Sequence, residues 1–214
     1  MNKELFTRIL SSIILMPLAF FFIIEGAIFF NFFTLVIFLI AIYEWHFLSL
    51  KKNYYLLGFL FIALSFYTFY DLRNEGDFLI FLLILIICIS TDIGGYIFGK
   101  IIKGPKLTKI SPNKTYSGMF GSFVLSVVAL HIYFNNLSFL KLANNQYELG
   151  VKLICIVLSI SLVSQLGDLI ISYFKRKSNI KNTGKIIPGH GGLLDRIDGM
   201  IFAFPFTYLL IKIL

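Results

Sequence analysis

Long apolar runs separated by short polar breaks occupy nearly the whole chain. They fall at roughly 8–24, 27–48, 53–70, 78–99, 117–135, 149–171 and 200–214, each close to the length of helix that crosses a bilayer. A run that is apolar on every face packs against lipid or other helices, not against water. The pattern predicts an all-α, polytopic integral membrane protein of about seven transmembrane helices. It leaves no room for a separate soluble domain. The chain reads as a single membrane domain, 1–214, with a helical scaffold over 1–75 and a more polar part over 76–214.

Composition supports that reading, since 58% of the 214 residues are hydrophobic and only 14% charged, where soluble domains carry about a quarter charged. The first run follows Lys3 and Arg8 as a signal peptide would, but no small-residue cleavage site follows it and a second run begins almost at once. A retained first helix is expected. With the N-terminus cytoplasmic, all but four of the 19 Lys and Arg residues fall on the inner side; the exceptions are Arg73, Lys141, Lys152 and Lys212. Glu25, Asp71, Glu75, Asp77 and Glu148 fall on the outer connections. This is the positive-inside bias, and it accounts for the net charge of +8 without a nucleic-acid partner. Cys88 and Cys155 lie within apolar runs and are expected to be packing residues, not a disulfide. Glu44, Trp45 and His46, at the inner end of the second run, are expected in the interfacial belt.

Polar chemistry gathers in three places, all on the inner side. The first is Asp92, at the end of the fourth run among Gly94, Gly95 and Gly99. A carboxylate inside a span is costly and points to function, whereas the glycines fit close helix packing equally well. The second is Ser111-Pro112-Asn113-Lys114-Thr115-Tyr116-Ser117-Gly118, a turn in which Ser117 is the expected cap of the fifth span and Lys114 and Thr115 stand beside a helix N-terminus suited to phosphate. The third begins with Ser164 and Asp168 and continues through Ser172 to Lys175, one face of the sixth helix at successive turns. Beyond it come Arg176, Lys177, Lys181 and Lys185, then Pro188-Gly189-His190-Gly191-Gly192, then Asp195-Arg196 and Asp198. Cations, a glycine-rich turn and two carboxylates at i and i+3 suit a metal-assisted reaction at phosphate. His190 can serve as a ligand, a proton carrier or a turn residue, but its neighbours are the wrong types for zinc. Carboxylates with phosphate oxygens suit magnesium.

The segment from Ser172 through Lys175-Arg176, Lys181, Pro188, His190-Gly191-Gly192 and Asp195-Arg196 to Asp198 resembles the signature of the phosphatidate cytidylyltransferase (CDP-diacylglycerol synthase) family. The Ser-Pro-Asn-Lys-Thr turn with Gly118 and Gly121, and Asp92 with Tyr96 and Gly99, resemble further family elements. Asn182 stands where the family usually has Asp, Ser117 where a Glu is common, and Ser122 where a glycine is usual. The chain is short for the family, so an N-terminal helix or two is expected to be lacking.

The resemblance implies transfer of the CMP moiety of CTP to phosphatidate, giving CDP-diacylglycerol and pyrophosphate. It assigns Asp168 and Asp195 to magnesium, with or without an accompanying potassium ion, and Asp198 as a further ligand or support. Asp92 would line the same cavity. Lys175, Arg176 and Lys181 would hold nucleotide and pyrophosphate oxygens, helped by Lys114, Thr115, Ser172, Gly191, Gly192 and Arg196, with His190 orienting a phosphate. CTP would enter from the cytoplasm, the acyl chains would lie in grooves between helices, and the protein would sit in a bacterial inner membrane, with a homodimer as the expected assembly. The rival readings are a CTP-dependent lipid-alcohol kinase, which passes on the γ-phosphate instead, and a transporter. The transporter reading is weakened because the two halves of the chain show no repeat.

Overall fold

The computed structural model describes residues 3–50, 52–139 and 150–213. Lys51, Lys141 and Glu148, used above to orient the chain, lie outside the described residues. Among the described residues the predicted runs become seven helices in the predicted order: α1 (Lys3–Glu25), α2 (Ala27–Ser49), α3 (Tyr55–Asn74), α4 (Phe78–Ile101), α5 (Tyr116–Phe139), α6 (Val151–Lys177) and α7 (Leu194–Ile213). Helices α2, α3, α4, α5 and α6 are long and apolar enough to cross a membrane. The protein is a multi-pass, all-helical membrane protein. Up-and-down succession brings the ends of α2, α4 and α6 and the starts of α3, α5 and α7 to one side.

Aromatic packing fills the half of the bundle farthest from that side. Phe69 meets Phe81 at 5.0 Å and Phe204 at 4.9 Å between ring centroids, and Phe30 meets Phe81 at 6.1 Å. Arg73 closes this end, donating to the Ile23 carbonyl at 2.9 Å with its guanidinium 4.2 Å from the Phe78 ring centre. A second buried cluster, including Ala41, Trp45, Leu48, Phe66, Ile171, Leu194 and Ile201, lies under the opposite end. Cys88 is buried as expected, but Cys155 is exposed on the outer face of α6, so only the first is a packing residue; both are free thiols.

The tightest helix pair is α4 with α5, and small residues make it so. A Cβ on Gly94 would stand 2.5 Å from the Gly121 carbonyl oxygen, and one on Gly118 would stand 2.7 Å from that of Gly95. Hydrogen bonds knit the same region: Ser122 Oγ donates to the Thr91 carbonyl at 2.7 Å, and Thr91 Oγ1 donates to Ser161 Oγ on α6 at 2.8 Å. The glycines around Asp92 therefore serve close packing, which lets Asp92 and the start of α5 share one cavity. Gly94→Ala is expected to cost about 1–3 kcal/mol by overpacking against backbone that cannot yield. Gly95→Ala would meet the Ser122 hydroxyl at 3.0 Å and the Gly118 carbonyl oxygen at an ordinary 4.0 Å, a looser fit, and is expected to be milder. Thermal midpoints of the two variants in detergent check that order.

Candidate active site

The polar face of α6 is built as its spacing predicts. Ser164 is buried, Ser172 Oγ donates to Asp168 Oδ1 at 3.3 Å, and Lys175 Nζ reaches Asp195 Oδ1 at 2.8 Å. Asp168 also pairs through Oδ2 with Lys114 Nζ at 2.5 Å. That lysine comes from the turn before α5, where Leu107 N–H donates to the Lys114 carbonyl at 2.8 Å. The cap of α5 is Thr115, whose Oγ1 accepts from Gly118 N–H at 3.1 Å. Ser117, the expected cap, instead donates to the Lys103 carbonyl. The helix begins at Tyr116, so Ser117 already lies inside its first turn.

The glycine-rich segment closes on itself. Gly191 N–H donates to the Ile187 carbonyl at 3.2 Å and Ile187 N–H to that of Gly191 at 3.0 Å. Gly189 (φ 75°) and Gly191 (φ 97°) supply backbone that other residues adopt at a cost. His190 projects from this turn toward α1. Ser11 donates to the Pro188 carbonyl at 3.0 Å and lies 2.9 Å from His190 Nδ1, while Ser12 lies 3.2 Å from Nε2. A neutral ring that donates from Nδ1 and accepts at Nε2 satisfies all three contacts.

Asp195 holds the turn against α7. Besides Lys175, it accepts at Oδ2 from Thr183 N–H and Gly192 N–H, both at 3.0 Å. Asp198 follows one turn later, buried, with Oδ1 accepting from Gly199 N–H at 2.9 Å. It lies beside Asp168, with Asp92 near both.

These groups enclose a cavity of about 540 Å³. Asp92 and Tyr96 come from α4, Lys114 and Thr115 from the α5 turn, Gln165, Asp168 and Lys175 from α6, Asn182 and His190 from the loop, and Asp195, Arg196 and Asp198 from α7. The cytidylyltransferase family model matches residues 51–214. The chain belongs to the cytidylyltransferase family. It is 36% identical over 214 residues to a phosphatidate cytidylyltransferase of Rickettsia felis, a match covering 97% of this chain and 92% of that protein. A Rickettsia typhi protein of the same description is 34% identical over 211 residues, 95% of this chain and 90% of its own. A Staphylococcus aureus phosphatidate cytidylyltransferase is 39% identical over 159 residues, 73% of this chain, and the match covers 57% of that longer protein.

Within this family member, most of the expected residues line the cavity and five do not: Ser172, Gly191 and Gly192 stand behind it, Ser172 touching Asp168 and the two glycines lying against Asp195, while Arg176 and Lys181 lie away from it. Arg176 donates instead to the Ile110 and Ile180 carbonyls, at 3.4 and 3.3 Å, and Lys181 is exposed. The reason is helical geometry: consecutive residues point about 100° apart, so Lys175 and Arg176 cannot both face inward. Asn182 does line the cavity, beside Gly191.

Sequence reasoning misplaced Glu44 and Trp45. Neither is a belt residue: they are 1% and 2% exposed, and Trp45 donates to the Tyr55 carbonyl at 3.0 Å. Glu44 Oε1 accepts from Leu193 N–H, and Oε2 accepts from Leu194 N–H and Thr183 Oγ1, all at 2.8 Å. The available signal was a carboxylate placed a full turn inside the second apolar run, where an unpartnered charge is costly.

Proposed function

We propose that this family member transfers CMP from CTP to phosphatidate, releasing pyrophosphate. The observation that carries the reading is the convergence of Asp92, Asp168, Asp195 and Asp198 with Lys114 and Lys175 on one cavity, formed where helices end and begin on a single side of the bundle. A phosphatidate phosphate oxygen attacks the α-phosphorus of CTP. The bond from that phosphorus to the oxygen bridging to the β-phosphate breaks, and the electron pair leaves with pyrophosphate. All reacting groups are anionic, so the protein acts by positioning them and neutralising charge.

Among the described residues, no group of three or more His, Cys, Asp or Glu forms a metal cage. Magnesium does not require one, because proteins usually hold it through one or two carboxylates with substrate phosphates and water completing the shell. Asp168 and Asp195 would hold it, supported by Asp198. When bound, the ion would neutralise charge developing on the phosphate oxygens. Asp195 is well suited because three donors already fix its orientation. Lys114 and Lys175 bring positive charge to phosphate and leaving pyrophosphate, and Arg196 is held toward the same cavity by its 2.8 Å bond to the His190 carbonyl. The acyl chains would lie in apolar grooves; one of about 490 Å³ runs between α3, α6 and α7, past Tyr54, Phe61, Ile170 and Phe174. The inward bias of Lys and Arg supports a cavity open to the cytoplasm.

The test uses detergent-solubilised protein with CTP, phosphatidate and magnesium. Label from the α-phosphate of CTP is expected in the lipid, and label from the γ-phosphate in pyrophosphate. γ-Label in the lipid would establish a kinase and overturn the reading, as would no turnover by folded protein. Asp168→Asn is expected to lower the rate about 10²–10³-fold with the fold retained.

A further inference from the structure

We propose that Glu44, which precedes the 51–214 segment matched by the family model, is a positioning residue of this active site. Its carboxylate caps α7 from a distance and fixes the 183–194 segment so that Asp195 and Asp198 are aimed into the cavity. The inference rests on the cytidylyltransferase reading and adds a residue to its machinery.

The need for such a group is set by the start of α7. The Leu193 carbonyl accepts the first backbone bonds of the helix, from Arg196 N–H at 2.8 Å and Ile197 N–H at 3.2 Å. Leu193 therefore sits at the N-cap, beside N–H groups that have no acceptor within the helix; a Ser, Thr, Asp or Asn there would reach only those of Asp195 or Arg196, so the Leu193 and Leu194 N–H groups need an acceptor from elsewhere. Leucine has no acceptor to offer. Glu44 supplies one from α2, 149 residues earlier in the chain, and takes the Leu193 and Leu194 N–H groups together with the Thr183 hydroxyl. Among the described residues no lysine or arginine pairs with it. Its charge is matched instead by these donors and by the positive end of the helix dipole.

Two glycines make room for it. A Cβ on Gly184 would stand 2.6 Å from Glu44 Oε1, and one on Gly192 would stand 2.5 Å from Oε2. The groups held by Glu44 also alternate with the groups that face the cavity. Asn182 lines the cavity and Thr183 binds Glu44; His190 lines it and Leu193 and Leu194 bind Glu44; Asp195 and Arg196 then line it again. Asp195 and Glu44 share out the donors of one turn, the first taking Thr183 and Gly192 N–H and the second the rest. A shift of the carboxylate would therefore turn Asp195.

Glu44→Gln keeps the shape but sets an amide N–H₂ against N–H donors. Its kcat is expected to fall about 10–100-fold, the usual effect of losing a group that orients a ligand, with KM for CTP and phosphatidate unchanged and the thermal midpoint lowered only modestly, since one buried N–H is left facing an amide donor. Hydrogen exchange is expected to quicken in peptides spanning 183–195 and to stay as in the parent across α4 and α5. Thr183→Val should act in the same direction, and the double variant should be no worse than Glu44→Gln alone. Unchanged kcat and exchange in folded Glu44→Gln would overturn the proposal. So would a loss of rate that merely tracks a lower midpoint and faster exchange throughout the chain. If Glu44→Gln does not fold, Thr183→Val decides on the same readouts. A parent protein that turns over no substrate would sink the cytidylyltransferase reading, and the exchange data would still decide whether Glu44 fixes the turn.

Discussion

Asp195→Asn is expected to cut pyrophosphate release about 10²–10³-fold and to destabilise the protein as well. Asp195 and Lys175 are a buried pair, with side chains 8% and 11% exposed and 2.8 Å between Oδ1 and Nζ. Removing one partner of a buried ion pair costs about 3–5 kcal/mol, because the other charge stays behind without compensation. An asparagine can still turn its oxygen to Thr183 N–H and Gly192 N–H, which keeps the turn capped, but its amide then faces the Lys175 ammonium. Adding Lys175→Met removes that stranded charge. The double variant is thus expected to regain most of the lost thermal midpoint while remaining inactive, since the cavity then lacks both the carboxylate and the cation. Midpoint and turnover measured on both single variants and the double separate the two roles. Activity that returned along with stability would show that Asp195 serves the fold alone.

Much of the architecture was legible because membrane helices announce themselves through length and uniform apolarity. The seven runs predicted from the sequence match α1 to α7 within a few residues at most ends, and the α6 face through Ser164, Asp168, Ser172 and Lys175 follows from a period of 3.6. What spacing could not give was contact between distant segments. Lys114 as the partner of Asp168, Ser11 and Ser12 at His190, and Glu44 at the start of α7 join residues 54, 178 or more and about 150 positions apart. Local rules also failed where one residue decides the direction. Thr115 caps α5 in place of Ser117, and Arg176 points away because Lys175 points in. Asp195 and Asp198 were legible as a pair at i and i+3. That the first would be fixed by two backbone N–H groups and a lysine depended on how the 182–193 segment folds back.

Gly192→Ala is expected to be the most damaging single methyl addition in the signature segment. The new Cβ would stand 2.0 Å from Thr183 Oγ1, 2.5 Å from Glu44 Oε2 and 2.7 Å from Gly184 N. Two of these neighbours are held by hydrogen bonds and the third is backbone, so none can swing aside. The turn must therefore move, and it carries Asp195 with it. A displacement of about 1 Å in a positioned group costs on the order of 10²-fold in rate, which sets the expected loss. Gly191→Ala also places its Cβ 3.0 Å from Asp195 Oδ2, at a φ of +97°, and is expected to be impaired through backbone strain as well as crowding. Pairing Gly192→Ala with Thr183→Ala removes the nearest obstacle but leaves Glu44 and the Gly184 backbone in place, so little rescue is expected. Substantial rescue would mean that Thr183 alone sets the space and that Glu44 yields readily, against the rigid carboxylate cap inferred above. Turnover of the two single variants and the pair, measured beside hydrogen exchange over 183–195, distinguishes these outcomes.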